Sequence, residues 1–173
     1  MADYIQEQAK NYKTLNKAAS EHGVVIFGSS YLHSFPFYDL MQGRVFDYAV
    51  YNRSIEGLTV SEAITVLDDC VNGLFPDTIL VSFGENEPTN EKFFADYDNL
   101  IKKIKMTCPA CKICILPAHG KDKEYTLKLK ALAEANSTEF IPLQEGASDE
   151  SLFKRMSGFF RNGKISFADA FCI

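Results

Sequence analysis

What most constrains this chain is an alternation. Short runs rich in β-branched and aromatic residues, at 24–27, 46–51, 78–83, 112–116 and 139–142, are separated by longer stretches with helical periodicity. In 2–21 the apolar positions Ile5, Ala9, Tyr12, Leu15 and Ala19 recur at helical spacing, and Gly23 closes that segment. Val60, Ala63, Ile64, Leu67 and Val71 do the same in 59–74, as do Phe94, Tyr97, Leu100, Ile101 and Ile104 in 91–106. Further helices are predicted at 121–136 and 163–172, and an irregular one at 31–42, where Pro36 breaks a regular start. Ile79-Leu80-Val81 is apolar without a break, the pattern of a strand covered on both faces. Strands alternating with helices predict an α/β fold: a three-layer α/β/α sandwich around a central parallel sheet of about five strands. With 173 residues and no repeat, linker or low-complexity stretch, the chain reads as one domain over 1–173, with the 1–21 helix packed on it.

Composition narrows the partners. The net charge is −5 and no basic stripe is available to neutralise phosphates, so nucleic acid is not expected. No apolar run approaches the roughly 20 residues of a membrane span. The first residues, Met-Ala-Asp-Tyr-Ile-Gln, lack a basic region leading into an apolar one, so a cytoplasmic location is the expectation. An odd count of five cysteines is a poor disulfide framework. Cys108, Cys111 and Cys114 have gaps that let thiolates converge, and a Cys3His zinc site completed by His119 is conceivable. The plainer reading, adopted here, makes Cys111 and Cys114 small apolar residues that flank or enter the strand at 112–116, with no metal and no cofactor.

In a sheet of this kind ligands bind beyond the carboxyl ends of the strands. The loops there begin at Gly28, Asn52, Gly84 and Pro117. The run Val24-Val25-Ile26-Phe27-Gly28-Ser29-Ser30 ends in a glycine turn that delivers a hydroxyl. Asn52-Arg53-Ser54-Ile55-Glu56-Gly57 and Gly84-Glu85-Asn86-Glu87 supply donors able to hold an oxyanion, which suggests acyl transfer. Each residue also has a structural reading. Ser30 can cap the following helix, Asn86 can hold its own loop, and Gly57 can serve a turn.

In these blocks the chain resembles the SGNH (GDSL-type) hydrolases from about residue 20 to its end. Gly28-Ser29-Ser30 is similar to the family's Gly-Asp-Ser, with serine in place of aspartate. Asn52 to Gly57 matches Asn-x-x-x-x-Gly, and Gly84-Glu85-Asn86-Glu87 matches Gly-x-Asn-Asp with a final glutamate. The resemblance implies a flavodoxin-like sheet, Ser30 as nucleophile, and an oxyanion hole made by the N–H groups of Ser30 and Gly57 and the amide of Asn86. It also implies an Asp-x-x-His block before the last helix. The corresponding phrase is Ser157-Gly158-Phe159-Phe160-Arg161-Asn162-Gly163, with serine for the aspartate and Phe160 for the histidine. Phenylalanine cannot accept a proton, so the expected base is missing.

Of the three histidines, His22 is expected at the opposite edge of the sheet. His33, three residues after Ser30, is a candidate substrate contact, base or surface residue. His119 follows a strand on the correct edge and is the leading candidate for a relocated base, the alternative being a solvated loop histidine. Neither it nor His33 has an obvious carboxylate partner, with Asp122 and Glu87 as the available ones. Ser29, His33, Glu87 and Phe160 are candidate substrate contacts, and Glu87 can alternatively cap the helix starting near Glu91. Glu85 and Glu87 should make the mouth acidic. Tyr31, Phe35, Phe37 and Tyr38 either wall the pocket or belong to the core or a dimer surface. Lys121, Lys123, Lys128 and Lys130 form a solvated helix face. Two functions follow: an esterase of weak or altered activity on small acyl esters, such as acetyl groups on carbohydrate, or a pseudoenzyme that binds an acyl or carbohydrate ligand.

Overall fold

The computed structural model describes residues 2–143 and 147–160. Five parallel strands, β1 (Val24–Gly28), β2 (Val50–Asn52), β3 (Thr78–Ser82), β4 (Lys112–Ile115) and β5 (Glu139–Phe140), are ordered β2-β1-β3-β4-β5. The strand order reverses between β1 and β3, where a doubly wound sheet opens a crevice at its carboxyl edge.

Alternation along each strand divides the core into two layers. Val25 and Phe27 of β1, Ile79 and Val81 of β3, and Ile113 and Ile115 of β4 face one layer. That layer is covered by helices α1 (Ala2–Asn16), α4 (Val60–Cys70), α5 (Glu91–Thr107) and α6 (Lys123–Ala135). Val24, Ile26, Leu80 and Cys114 face the other, covered by α2 (Ser30–Ser34), α3 (Phe37–Met41), α7 (Asp149–Ser157) and a 3-10 turn at Gly158–Phe160. This is the expected three-layer sandwich. No helix among the described residues is long and apolar enough to cross a membrane.

Several boundaries differ from the sequence expectation. The 46–51 run pairs only at Val50–Asn52, because Phe46 and Tyr48 are spent packing on the α7 side of the sheet. The 31–42 stretch splits into α2 and α3 around Pro36. The first helix stops at Asn16, whose buried amide donates to the Cys70 carbonyl at 3.0 Å while its oxygen accepts from Arg53 Nε at 2.9 Å. Helix α7 was not expected, although Ser148 caps it, Asp149 and Glu150 fill its first turn, and Leu152, Phe153 and Met156 are buried. The helix expected at 163–172 lies outside the described residues.

The cysteines follow the apolar reading. Cys114 is fully buried, and burial pushes the thiols of Cys111 and Cys114 up to about 12. Among the described residues no group of three or more His, Cys, Asp or Glu side chains can hold a metal ion.

Tyr125 ties together the two loops that flank the crevice. Its buried hydroxyl donates to the Phe83 carbonyl at 2.6 Å and accepts from the Ala118 N–H at 3.2 Å. Tyr125→Phe should therefore lower stability by about 1–3 kcal/mol, since two buried backbone groups lose their partner. Urea denaturation checks this, with a lower midpoint and unchanged slope expected. An unaltered midpoint would mean that the tie carries no weight.

Candidate active site

Ser30 opens α2 at the carboxyl end of β1. The turn that delivers it passes tightly against β3. A Cβ on Gly28 would stand 2.6 Å from the Ser82 carbonyl oxygen and 2.9 Å from Leu32 Cδ1, so only glycine fits. Across the crevice Gly57 has φ of +73°, a left-handed conformation that glycine adopts without strain. Its N–H donates to Ser30 Oγ at 2.9 Å. Asn86, on the loop after β3, donates from Nδ2 to Ser30 Oγ at 2.9 Å and to Ser29 Oγ at 2.6 Å. The N–H of Ser30 lies in the first turn of α2, where no helical partner exists. Ser30, Gly57 and Asn86 are thus brought together as the sequence suggested, with two N–H donors already converging on one oxygen.

Asn52 fixes the intervening loop. Its Nδ2 donates to the Leu32 carbonyl at 2.8 Å, and its Oδ1 accepts from the Ser54 N–H at 3.0 Å. Ser29 is fully buried and receives the Asn86 amide, so it holds Asn86 in place and is not exposed for the substrate contact expected of it.

The base is the weak point. Among the described residues no histidine or carboxylate is hydrogen-bonded to Ser30 Oγ. His33 is exposed, and its Nδ1 lies 3.1 Å from the Ser54 carbonyl. A carbonyl only accepts, so Nδ1 carries the proton and Nε2 is left as the accepting nitrogen. His119 is exposed and stacks on the Tyr31 ring, with centroids 4.8 Å apart and planes 19° apart. Asp122 caps α6 through the Tyr125 N–H at 2.8 Å and is not aligned with His119 as a partner. His22 lies at the opposite edge, 3.4 Å from Asp77, as expected.

Both loop glutamates are occupied. Glu87 Oε1 accepts from the Val60 N–H at 2.7 Å, so it serves the first turn of α4. This corrects two expectations: Glu87 is not placed as a free substrate contact, and α5 is capped by Asn90 instead. Glu85 Oε1 accepts from the Tyr31 N–H at 2.7 Å, and the Tyr31 hydroxyl donates to Asp149 Oδ1 at 2.8 Å. Burial pushes both glutamate carboxyls above the ordinary range. The roles of Glu85 and Asp149 were not read from the sequence. The Ser148-Asp149-Glu150 helix start was a usable signal for Asp149, while nothing local links Glu85 to an N–H 54 residues away.

Phe160 is the largest correction. It is fully buried, with ring centroids 5.5 Å from Phe46 and 6.0 Å from Phe153, and its carbonyl accepts from the Tyr48 N–H ahead of β2. Its neighbour Phe159 lies under Lys112, the first residue of β4. The 157–160 segment is therefore at the amino edge of the sheet, opposite Ser30, and Phe160 neither touches substrate nor fills the place of a base. Helix α7 starts at the site, where Asp149 meets Tyr31, and runs away from it. The stretch before α7 reads Gln144-Glu145-Gly146-Ala147-Ser148 and also contains no histidine. Of it, 144–146 lie outside the described residues, and Ser148 caps α7.

Of the aromatic cluster, Phe35 and Phe37 are core, Tyr38 is exposed, and Tyr31 walls a groove of about 860 Å3. His119, Lys121, Leu127, Leu143 and Leu152 also line it.

No protein-family model and no curated protein matches this chain. Solved structures do. One from Streptococcus pneumonia, named for platelet activating factor, is 17% identical with a TM-score of 0.74, covering 91% of this chain and 93% of that one. A GDSL-like lipase from Bacteroides thetaiotaomicron is 17% identical with a TM-score of 0.61, covering 87% and 94%. The acetyl xylan esterase AlAXEase is 19% identical with a TM-score of 0.59, covering 81% and 86%. The fold is thus the α/β fold of SGNH/GDSL-type hydrolases.

Phe160→His tests the corrected register. It should destabilise the protein by about 2–4 kcal/mol, because a polar ring replaces a packed apolar one in the core. It should bring no ester hydrolysis. A gain in turnover that disappears with Ser30→Ala would return position 160 to the site.

Proposed function

We propose that this chain is a slow serine ester hydrolase acting on small acyl esters, acetyl groups on carbohydrate among them. The observation that carries this is the pair of N–H donors, Gly57 N and Asn86 Nδ2, each 2.9 Å from Ser30 Oγ. In the reaction Ser30 Oγ attacks the ester carbonyl carbon and the alcohol leaves. The carbonyl oxygen, negative in the tetrahedral intermediate, takes the donors of Gly57, Asn86 and the Ser30 N–H. Donors fixed in advance need no reorganisation as the charge develops, and one of them is worth roughly 10²–10³ in rate. Water then cleaves the acyl-enzyme.

Among the described residues the proton of Ser30 has no docked acceptor. In another serine hydrolase, losing the base costs about 10⁶ in turnover, and the hole with substrate binding retains roughly 10³–10⁴ over water. His119, stacked on the ring of Tyr31 next to Ser30 in the chain, is the candidate to receive the proton through water or after a rotation off that ring. The neighbouring esterases and lipases support the reaction class, and acetyl xylan esterase supports carbohydrate acetyl groups. The free thiols of Cys70, Cys108, Cys111 and Cys114 fit a reducing, cytoplasmic setting. A second reading, a pseudoenzyme that binds an acyl or carbohydrate ligand, is favoured by the lack of an acceptor at Ser30 among the described residues.

Hydrolysis of p-nitrophenyl acetate across pH separates the two. Wild type should exceed Ser30→Ala, Asn86→Ala should lose roughly 10²-fold or fall to the Ser30→Ala background, and His119→Ala should also be slower than wild type. Equal rates for wild type and Ser30→Ala at every pH would leave ligand binding as the function.

A further inference from the structure

Glu85 stands outside the oxyanion hole but touches the helix that carries the nucleophile. Ser29, the residue placed to cap α2, makes no side-chain cap bond, because its hydroxyl receives the Asn86 amide. The Tyr31 N–H in the first turn of α2 is instead held by Glu85 Oε1 at 2.7 Å, from the loop after β3. The same loop carries Asn86. One short segment therefore supplies both a donor to Ser30 Oγ and an acceptor to the backbone directly after it.

We propose that Glu85 is a positioning residue for Ser30, fixing the first turn of α2 through the Tyr31 N–H so that Oγ stays between Gly57 N and Asn86 Nδ2. This rests on the reading of Ser30 as nucleophile. Glu85 does not touch the reacting atoms; it acts through Tyr31.

The electrostatics point the same way. Burial raises the Glu85 carboxyl above the ordinary range, against the lowering effects of the Tyr31 N–H, its own backbone N–H, Lys121 and His119. Tyr97 of α5 and Tyr125 of α6 face it as phenols, and Asp149 of α7 reaches it only through Tyr31. A carboxyl raised on folding binds more protons in the native state than in the unfolded one. Its contribution to stability therefore falls as pH rises from the ordinary glutamate value through the raised one. At neutral pH the ionised carboxylate is held at a cost to stability, the opposite of what a purely structural ion would show. Such groups cluster at functional sites.

Wild type, Glu85→Gln and Glu85→Leu, each as the full chain, provide the test between roughly pH 4 and 9, which spans the glutamate and histidine ranges. Three quantities are read: the amide proton shifts of Tyr31 and Gly57 by NMR, the rate of fluorophosphonate labelling at Ser30, and the melting temperature. Gly57 reports the position of Ser30 Oγ directly, because its N–H is bonded to it. In wild type the two amide protons should titrate together, with one midpoint above the ordinary glutamate range, and neither should do so in Glu85→Gln. Glu85→Gln keeps an acceptor without the charge and should melt higher than wild type at neutral pH. Glu85→Leu should label about tenfold more slowly, the loss of one charge-assisted hydrogen bond. A Gly57 proton indifferent to the Tyr31 titration, a titration that survives in Glu85→Gln, or wild-type labelling in Glu85→Leu overturns the inference. If wild-type Ser30 never labels, the hydrolase reading fails by itself, and the Gly57 proton still decides whether Glu85 holds Ser30.

Discussion

The site depends on how closely β1 approaches β3. Gly28 pairs with Ser82 at the carboxyl end of the two strands, and the gap there is too narrow for any side chain. That contact sets the turn in which Ser29 and Ser30 emerge, and it brings the loop after β3 alongside them. Asn86 then reaches both hydroxyls and Glu85 reaches the backbone of Tyr31. Because the strand order reverses here, no crossover helix fills the space above these ends, and a crevice is left for a ligand. Gly57 closes it from the third side.

The site is well prepared for negative charge and poorly prepared for proton transfer. Donors converge on Ser30 Oγ, while Glu85, Glu87 and Asp149 are committed to backbone N–H groups or to a phenol. Glu87 holds the start of α4, Glu85 the start of α2, and Asp149 the hydroxyl of Tyr31. The two exposed histidines of this region are likewise placed by other contacts, one by the Ser54 carbonyl and one by the Tyr31 ring. Chemistry of this kind favours stabilising an oxyanion over generating an alkoxide. The slow hydrolase proposed above rests on that imbalance.

How much of this the sequence disclosed depends on the range of the interaction. The strands and most helices were legible because their signals are local: period two for β1 and β3, period 3.6 for α4 and α5. The convergence of Ser30, Gly57 and Asn86 was legible too, since each follows a strand whose carboxyl end had to lie on one edge. The last block was not. Residues 157–163 fit the frame of a family motif, yet α7 carries the chain about 14 Å from the site before them, at 1.5 Å per residue. Once α7 is in place, Phe160 can only join Phe46 and Phe153 in the core. The partners of Glu85 and Glu87 were hidden for a related reason: which buried N–H a carboxylate meets is decided by packing between distant loops, and spacing along the chain carries no trace of it.

The central claim is that Ser30, Gly57 and Asn86 form a working receptor for a tetrahedral oxyanion. A crystal structure of the protein after treatment with a reactive methylphosphonate ester tests it most directly, because the covalent adduct carries an oxygen where the oxyanion would develop. The account predicts phosphorus bonded to Ser30 Oγ, with its free oxygen about 2.7–3.1 Å from Gly57 N and Asn86 Nδ2. Phosphorus on another residue, or a free oxygen turned to solvent away from both donors, would contradict it.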